Sequence, residues 1–337
     1  MHEAELNPAQ QELLDALGAS PDERPRFDPA LRTQLRLKVE EGLDEVISEH
    51  EPDGRLRVNK HRLAMIMGCE RRFLAEADAF SWSVPKARGS IAHKAIELSI
   101  HTPGIQTPMA LVNEAIAALT HSDNSIAEWL QECSERELAE LRGEANDSVA
   151  KFLECWPPLK PAWLPVTESK LIFEHRSTIV LSGKVDLSLG RATGDRAGKV
   201  LIDLKTGGSN PHHIDDLRFY ALLEALRVGT PPRLLATYYL DQGRLLPEAV
   251  TEDLLHASVA RVVDGVARIV ETERRLGEPS TSPGPPCRWC VALADCEPGR
   301  RYLRDDDPDD DLGDEDDADE AAAEAEAAEA DDSDESP

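Results

Sequence analysis

The chain has 337 residues and a formal net charge of −28, from 65 acidic against 37 basic side chains. That length allows one large domain or two modest ones with a sizeable core. No run of eighteen apolar residues argues for a membrane span, and the polar start MHEAELNPAQ is unlike a secretory signal, so a cytoplasmic location is expected. In that compartment the six cysteines read as metal ligands plus spare thiols rather than as a disulfide framework. The charge argues at first against a nucleic-acid partner, but it is unevenly spread. From Asp305 onward there are 19 acids and no Lys or Arg, which leaves 46 acids against 37 bases in the rest of the chain.

In chain order, residues 1–56 predict a helical N-terminal arm. LNPAQQELLDALGA spaces Leu6, Leu13, Leu14 and Leu17 as a helix does, SPDERPRFDP reads as a linker, and ALRTQLRLKVEEGLDEVI as a second amphipathic helix. Residues 57–156 read as mainly helical. Between 163 and 205 three strands are expected, WLPVTESKLIFEH, STIVLSGKVDLSLG and GKVLIDLK, with ATGDRAG as the clearest turn. A helix (IDDLRFYALLEALRVG), a strand (RLLATYYLD) and a long helix (TEDLLHASVARVVDGVARIVETERRL) follow. This order predicts an α/β sandwich built on a mixed sheet. Residues 305–337 alternate acidic runs with EAAAEAEAAEA and lack the apolar residues needed to offset ordering entropy, so a disordered acidic tail is expected.

The segment KVLIDLKTGG holds the first chemical signal. Val200, Leu201 and Ile202 form a buried run, and Asp203 and Lys205 then follow at a spacing of two, which places both on one face of a strand. The preceding strand carries Asp186 among apolar neighbours, and RGSIAHKAIEL sets His93 and Glu97 on one helix face. Two aspartates and a histidine on adjoining elements suit a hard cation such as magnesium or manganese, with a lysine beside them to orient water and stabilise phosphorane charge. Ion pairing of Asp203 with Lys205 and of Asp186 with Lys184 is the plain structural alternative.

In order, G-x3-H (Gly89 to His93), G-x2-D (Gly183 to Asp186) and D-x-K-T-G (Asp203 to Gly207) resemble the motifs of the PD-(D/E)XK nuclease superfamily, in its RecB-type branch. The family's Q-x3-Y helix motif falls on Asp216 to Tyr220, with aspartate in place of glutamine. The resemblance covers about residues 57 to 300. It implies a restriction-endonuclease-like mixed sheet flanked by helices, with a helical insertion, and a domain spanning 57–304. His93, Asp186 and Asp203 would bind metal with the backbone carbonyl of Leu204, Lys205 would position water, and Tyr220 would pack beside the site and touch DNA. Glu168 is expected to assist, with Glu174 as its neighbouring alternative. The implied activity is exonucleolytic, on DNA ends and often on single strands, in repair, recombination or defence. A CRISPR-adaptation-type trimming nuclease and a catalytically silent DNA-binding scaffold are the rival readings. No GxxxxGK[ST] loop occurs, so any unwinding would need a helicase or another partner chain.

Cys287, Cys290 and Cys296 follow a C-x2-C-x5-C spacing, which suits zinc or an iron–sulfur cluster by ligand softness. The resemblance supplies a fourth ligand, because one subset of the family carries C-x-R-R-F upstream, here Cys69 to Phe73. It implies a C-terminal [4Fe–4S] staple on Cys69, Cys287, Cys290 and Cys296. Joining these segments would gather Lys60, Arg62, Arg71 and Arg72 into a positive patch that tracks DNA phosphates.

Overall fold

In the computed structural model, which describes residues 6–305 apart from 51, 53, 77–80, 103, 105 and 211, side-chain caps start several helices. Asn7 accepts the Gln10 N–H while Gln10 accepts the Asn7 N–H, opening α1 (Pro8–Leu17). In α2 (Leu31–Glu49) the residues Leu31, Leu35, Val39, Leu43 and Val46 recur at helical spacing and all are buried. A short strand, β1 (Leu56–Val58), then leads to Asn59, which caps α3 (Lys60–Gly68) by accepting the Arg62 N–H. Next come α4 (Glu70–Glu76), α5 (Val84–His101), α6 (Pro108–Thr120), α7 (Ser125–Glu132) and α8 (Glu135–Cys155). The expected strands appear as β2 (Val166–His175), β3 (Ile179–Leu189) and β4 (Val200–Lys205). They are followed by α9 (His213–Val228), β5 (Leu234–Tyr239), β6 (Arg244–Ala249), α10 (Glu252–Glu273) and α11 (Glu297–Asp305).

Among the described residues these strands make a six-stranded mixed sheet in the order β1-β3-β4-β5-β6, with β2 on β3. β3 is the hub: it pairs parallel with β1, antiparallel with β2 along its length, and antiparallel with β4 near its end. β4 and β5 run parallel, joined through α9. Helices cover both faces. Residues of α2, α3, α9 and α10 pack on one side with Leu181, Val185, Leu201 and Leu235. Residues of α1 and α5 to α8 pack on the other with Leu187, Val200, Ile202, Leu204 and Tyr238. The mixed sheet flanked by helices is the architecture expected from the sequence.

The N-terminal segment is more than an appended arm. Leu35, Val39 and Leu43 are fully buried, in one core cluster with α9 and α10. At Gly42 a Cβ would stand 2.7 Å from Val263, so the glycine lets α2 and α10 approach closely. Two strands escaped sequence reading for physical reasons. β1 has three residues, and β6 is an edge strand containing Pro247, largely exposed and without clean alternation. Among the described residues no helix is long and apolar enough to cross a membrane. The expected tail, from 306 onward, lies outside the described residues.

Candidate active site

The alternation of β3 reverses in mid-strand. Ile179, Leu181 and Val185 join one core cluster, whereas Leu187 and Leu189, at the same parity, join the other. The β2–β3 ladder is interrupted at the same place: Thr167 pairs with Leu187 and Ser169 with Val185, but Glu168 and Asp186 are skipped. Glu168 takes a left-handed φ of +53°, a conformation that costs a non-glycine residue free energy and is often found at functional sites. Two carboxylates thus sit opposite each other where β3 changes face.

His93, on α5, completes a group. One ligand atom each from His93, Glu168 and Asp186 lies within 4.8 Å of the others. His93 Nδ1 is 3.6 Å from Asp186 Oδ1, and Asp186 Oδ2 accepts the Leu204 N–H at 2.7 Å. That bond ties Asp186 to the backbone between Asp203 and Lys205. Lys184 pairs with Glu168. Of the two glutamates considered from sequence, Glu168 is in the group, while Glu174 pairs with Arg55 at 3.3 Å. One imidazole and two carboxylates form a donor set that suits magnesium or manganese.

Asp203 lies outside that group, inside a second one. Its Oδ1 accepts from Lys60 Nζ at 3.2 Å and its Oδ2 stands 3.1 Å from Lys205 Nζ. Asp216 Oδ2 is 3.7 Å from each of the same two ammonium groups. Two lysines and two aspartates therefore balance their charges in a space where Lys60, Asp203 and Lys205 are at most 3% exposed. Burial alone would raise the Asp203 carboxyl, but Lys205 and Lys60 outweigh it and hold it well below the usual carboxylate range. Burial drives Asp216 upward, opposed by the same two lysines. The aspartate at the glutamine position of the family motif therefore sits beside both lysines of this buried ionic group.

Close approach explains the motif glycines. A Cβ at Gly183 would fall 2.2 Å from Cε1 of Tyr220, so the ring packs directly on β3. Tyr220 is 1% exposed and Lys60 Nζ lies 5.5 Å from its ring centroid. At Gly89 a Cβ would come within 3.2 Å of Thr206 Oγ1, which brings α5 against the end of β4. Gly207 has φ +86° and donates its N–H to Asp241, which also accepts the Ser148 hydroxyl, fixing the turn after Lys205.

The cysteine segments meet at the far end of the chain. The Arg71 N–H donates to the Ser280 carbonyl at 3.2 Å and its guanidinium to the Asp295 carbonyl at 2.7 Å. Cys69 Sγ is 3.9 Å from the Ser280 carbonyl oxygen. A Cβ at Gly299 would lie 3.4 Å from the sulfurs of both Cys287 and Cys296, so the two thiols flank one backbone position. No cysteine joins a compact ligand group among the described residues. The expected basic patch divides: Lys60 is buried at Asp203, Arg72 pairs with Glu76, Arg62 with Glu273, and Arg71 binds the 280–295 segment.

A family model for the PD-(D/E)XK nuclease superfamily matches residues 57–297. Among solved structures, the chain is similar to a candidate exonuclease from Eubacterium rectale, at 12% identity and a TM-score of 0.46, over 74% of this chain and 88% of that one. It is also similar to SSO0001, at 14% identity and a TM-score of 0.32, over 78% and 95%. No curated protein matches.

Proposed function

Since the chain belongs to the PD-(D/E)XK nuclease superfamily, we propose that it is a magnesium- or manganese-dependent deoxyribonuclease of the RecB-like branch, working as an exonuclease on DNA ends. The observation that carries this reading is the grouping of His93, Glu168 and Asp186 within 4.8 Å, with Asp186 bonded to the strand that holds Asp203 and Lys205. These three residues would hold the cation, with Asp203 and the Leu204 carbonyl as further donors. When bound, a divalent cation supplies Lewis-acid stabilisation of phosphoryl charge. Lys205 orients the attacking water through its N–H donors. Lys60 and Lys205 keep Asp203 ionised, and Tyr220 buttresses β3 beneath the site.

The finer reading adds a [4Fe–4S] cluster on Cys69, Cys287, Cys290 and Cys296. It is supported by the docking of the Cys69 segment on the 280–295 segment. Thiolates at the corners of such a cluster stand farther apart than ligands on one ion.

The test uses anaerobically purified protein with end-labelled single-stranded, double-stranded and circular DNA, in magnesium, manganese or EDTA. Cleavage of linear DNA that needs metal and is abolished by Lys205→Ala is the expected result. Cutting of circles would overturn the exonuclease mode, and cleavage that survives Lys205→Ala would overturn the site. Metal analysis of the same sample should give about four irons per chain. A single zinc would replace the cluster with a zinc staple.

A further inference from the structure

A cavity of about 320 Å³ opens beside the carboxylates. Its lining includes His93, Glu168 and Asp186 together with Trp82, Leu119, Asn124 and Ile126. Trp82 lies just before α5, while Leu119, Asn124 and Ile126 come from the end of α6, the α6–α7 turn and the start of α7. Trp82 is held in place because its indole N–H donates to Ser125 Oγ at 2.7 Å. An anchored indole beside Leu119 and Ile126 offers an apolar wall, and Asn124 places an amide among those groups.

We propose that Trp82 and the α6–α7 turn form a nucleoside subsite that takes one unpaired base of a DNA strand whose phosphate lies at His93, Glu168 and Asp186. This rests on the nuclease reading above. A stacking face, a polar group for a base edge and an adjacent phosphate site together match the chemistry of a single nucleotide. The volume is at the small end for ligand pockets, the size range of one nucleotide. Lys86, Lys94 and Lys184 also line the cavity, with Lys94 paired to Glu97 and Lys184 to Glu168. Aromatic stacking tolerates every base, so the subsite selects strand state rather than sequence.

The experiment measures binding of a short single-stranded oligothymidylate and of a blunt duplex by fluorescence anisotropy. It is run in EDTA on the Lys205→Ala protein, so that it does not depend on cleavage. Trp82→Phe keeps the stacking face, and Trp82→Leu keeps apolar bulk without it. Thermal melting of each variant verifies folding. The expected result is near-parental single-strand affinity for the phenylalanine variant and roughly tenfold weaker affinity for the leucine variant, with little change on the duplex. The same pair in the Lys205 background should raise KM for single strands and leave kcat nearly unchanged. Equal single-strand affinity for the two variants would overturn the subsite. Ser125→Ala, which removes only the indole's anchor, should weaken single-strand binding by a smaller factor, and a duplex-only effect would also overturn the proposal. Trp82-dependent binding by a protein that never cleaves would sink the nuclease reading and leave the subsite standing.

Discussion

Asp203 meets two lysines and Asp216 meets the same two, and that arithmetic of charge governs what a single substitution does. Lys60→Met leaves two buried carboxylates to share one ammonium. Asp216→Gln leaves two ammonium groups on one carboxylate. Removing one member of a buried ionic set strands its partner, so each change should cost about 3 kcal/mol in chemical denaturation. The double variant restores neutrality with the Asp203–Lys205 pair intact, and it should be more stable than the sum of the singles predicts. Simple additivity would mean that Asp216 does not balance Lys60. At this scale the sequence was partly legible. His93, Asp186, Asp203 and Lys205 announce themselves as polar residues at fixed spacings in apolar runs. Lys60 does not, because it lies 143 positions from the aspartate it binds and its own surroundings read as a basic surface segment. The partners of Arg62 and Arg71 were hidden for the same reason, whereas Arg72 meets Glu76 one helical turn away.

Strands and helices show where periodicity informs and where it misleads. The three consecutive strands and the long helices were readable because each carries a complete pattern of apolar residues. The reversal of β3 at Asp186 was not, since strict alternation assumes one unbroken pleat. From sequence Glu168 was preferred to Glu174 with no feature to separate their places on the strand, and the interruption in the ladder supplies that feature. The amphipathic stripe of α2 was legible and its destination was not, because a stripe says that a helix must bury a face and not against what. Its five core residues contribute about 2 kcal/mol each, comparable with the whole stability of an ordinary domain. Deletion of residues 1–50 should therefore abolish cooperative unfolding, as read by circular dichroism. Deletion of 1–18 removes only Leu13 and Leu17 from the core, and should lower the melting temperature while leaving a folded protein.

Across the whole molecule, stability acquires a pH dependence from groups withdrawn from water, and the half-buried His61 is one that can be isolated. Burial pushes its pKa down to about 4, helped by Arg72, Lys60, Lys86 and Arg62. The unfolded chain binds that proton near pH 6.5. Between pH 6.5 and 4 the unfolded state holds more protons, so the contribution is intact above pH 6.5 and is lost as pH falls toward 4. His61→Gln should make the urea-derived stability less steep across that window, by on the order of 2 kcal/mol. A wild-type slope in the variant would remove His61 from the account.

The placement of α2 against α10 also has a consequence in time. A ribosome releases the chain from its N-terminus, at about 5 to 20 residues per second. α2 ends at Glu49 and α10 begins at Glu252, so the apolar stripe of the first helix waits for roughly two hundred residues to be made. That interval is on the order of 10 to 40 seconds. β1 waits likewise for β3, whereas α5 to α8 can pack on one another as they emerge. One face of the nascent sheet is therefore covered early by local helices. The other closes late, and until then the emerging polypeptide presents a row of leucines and valines that a chaperone could hold or a neighbouring nascent chain could capture.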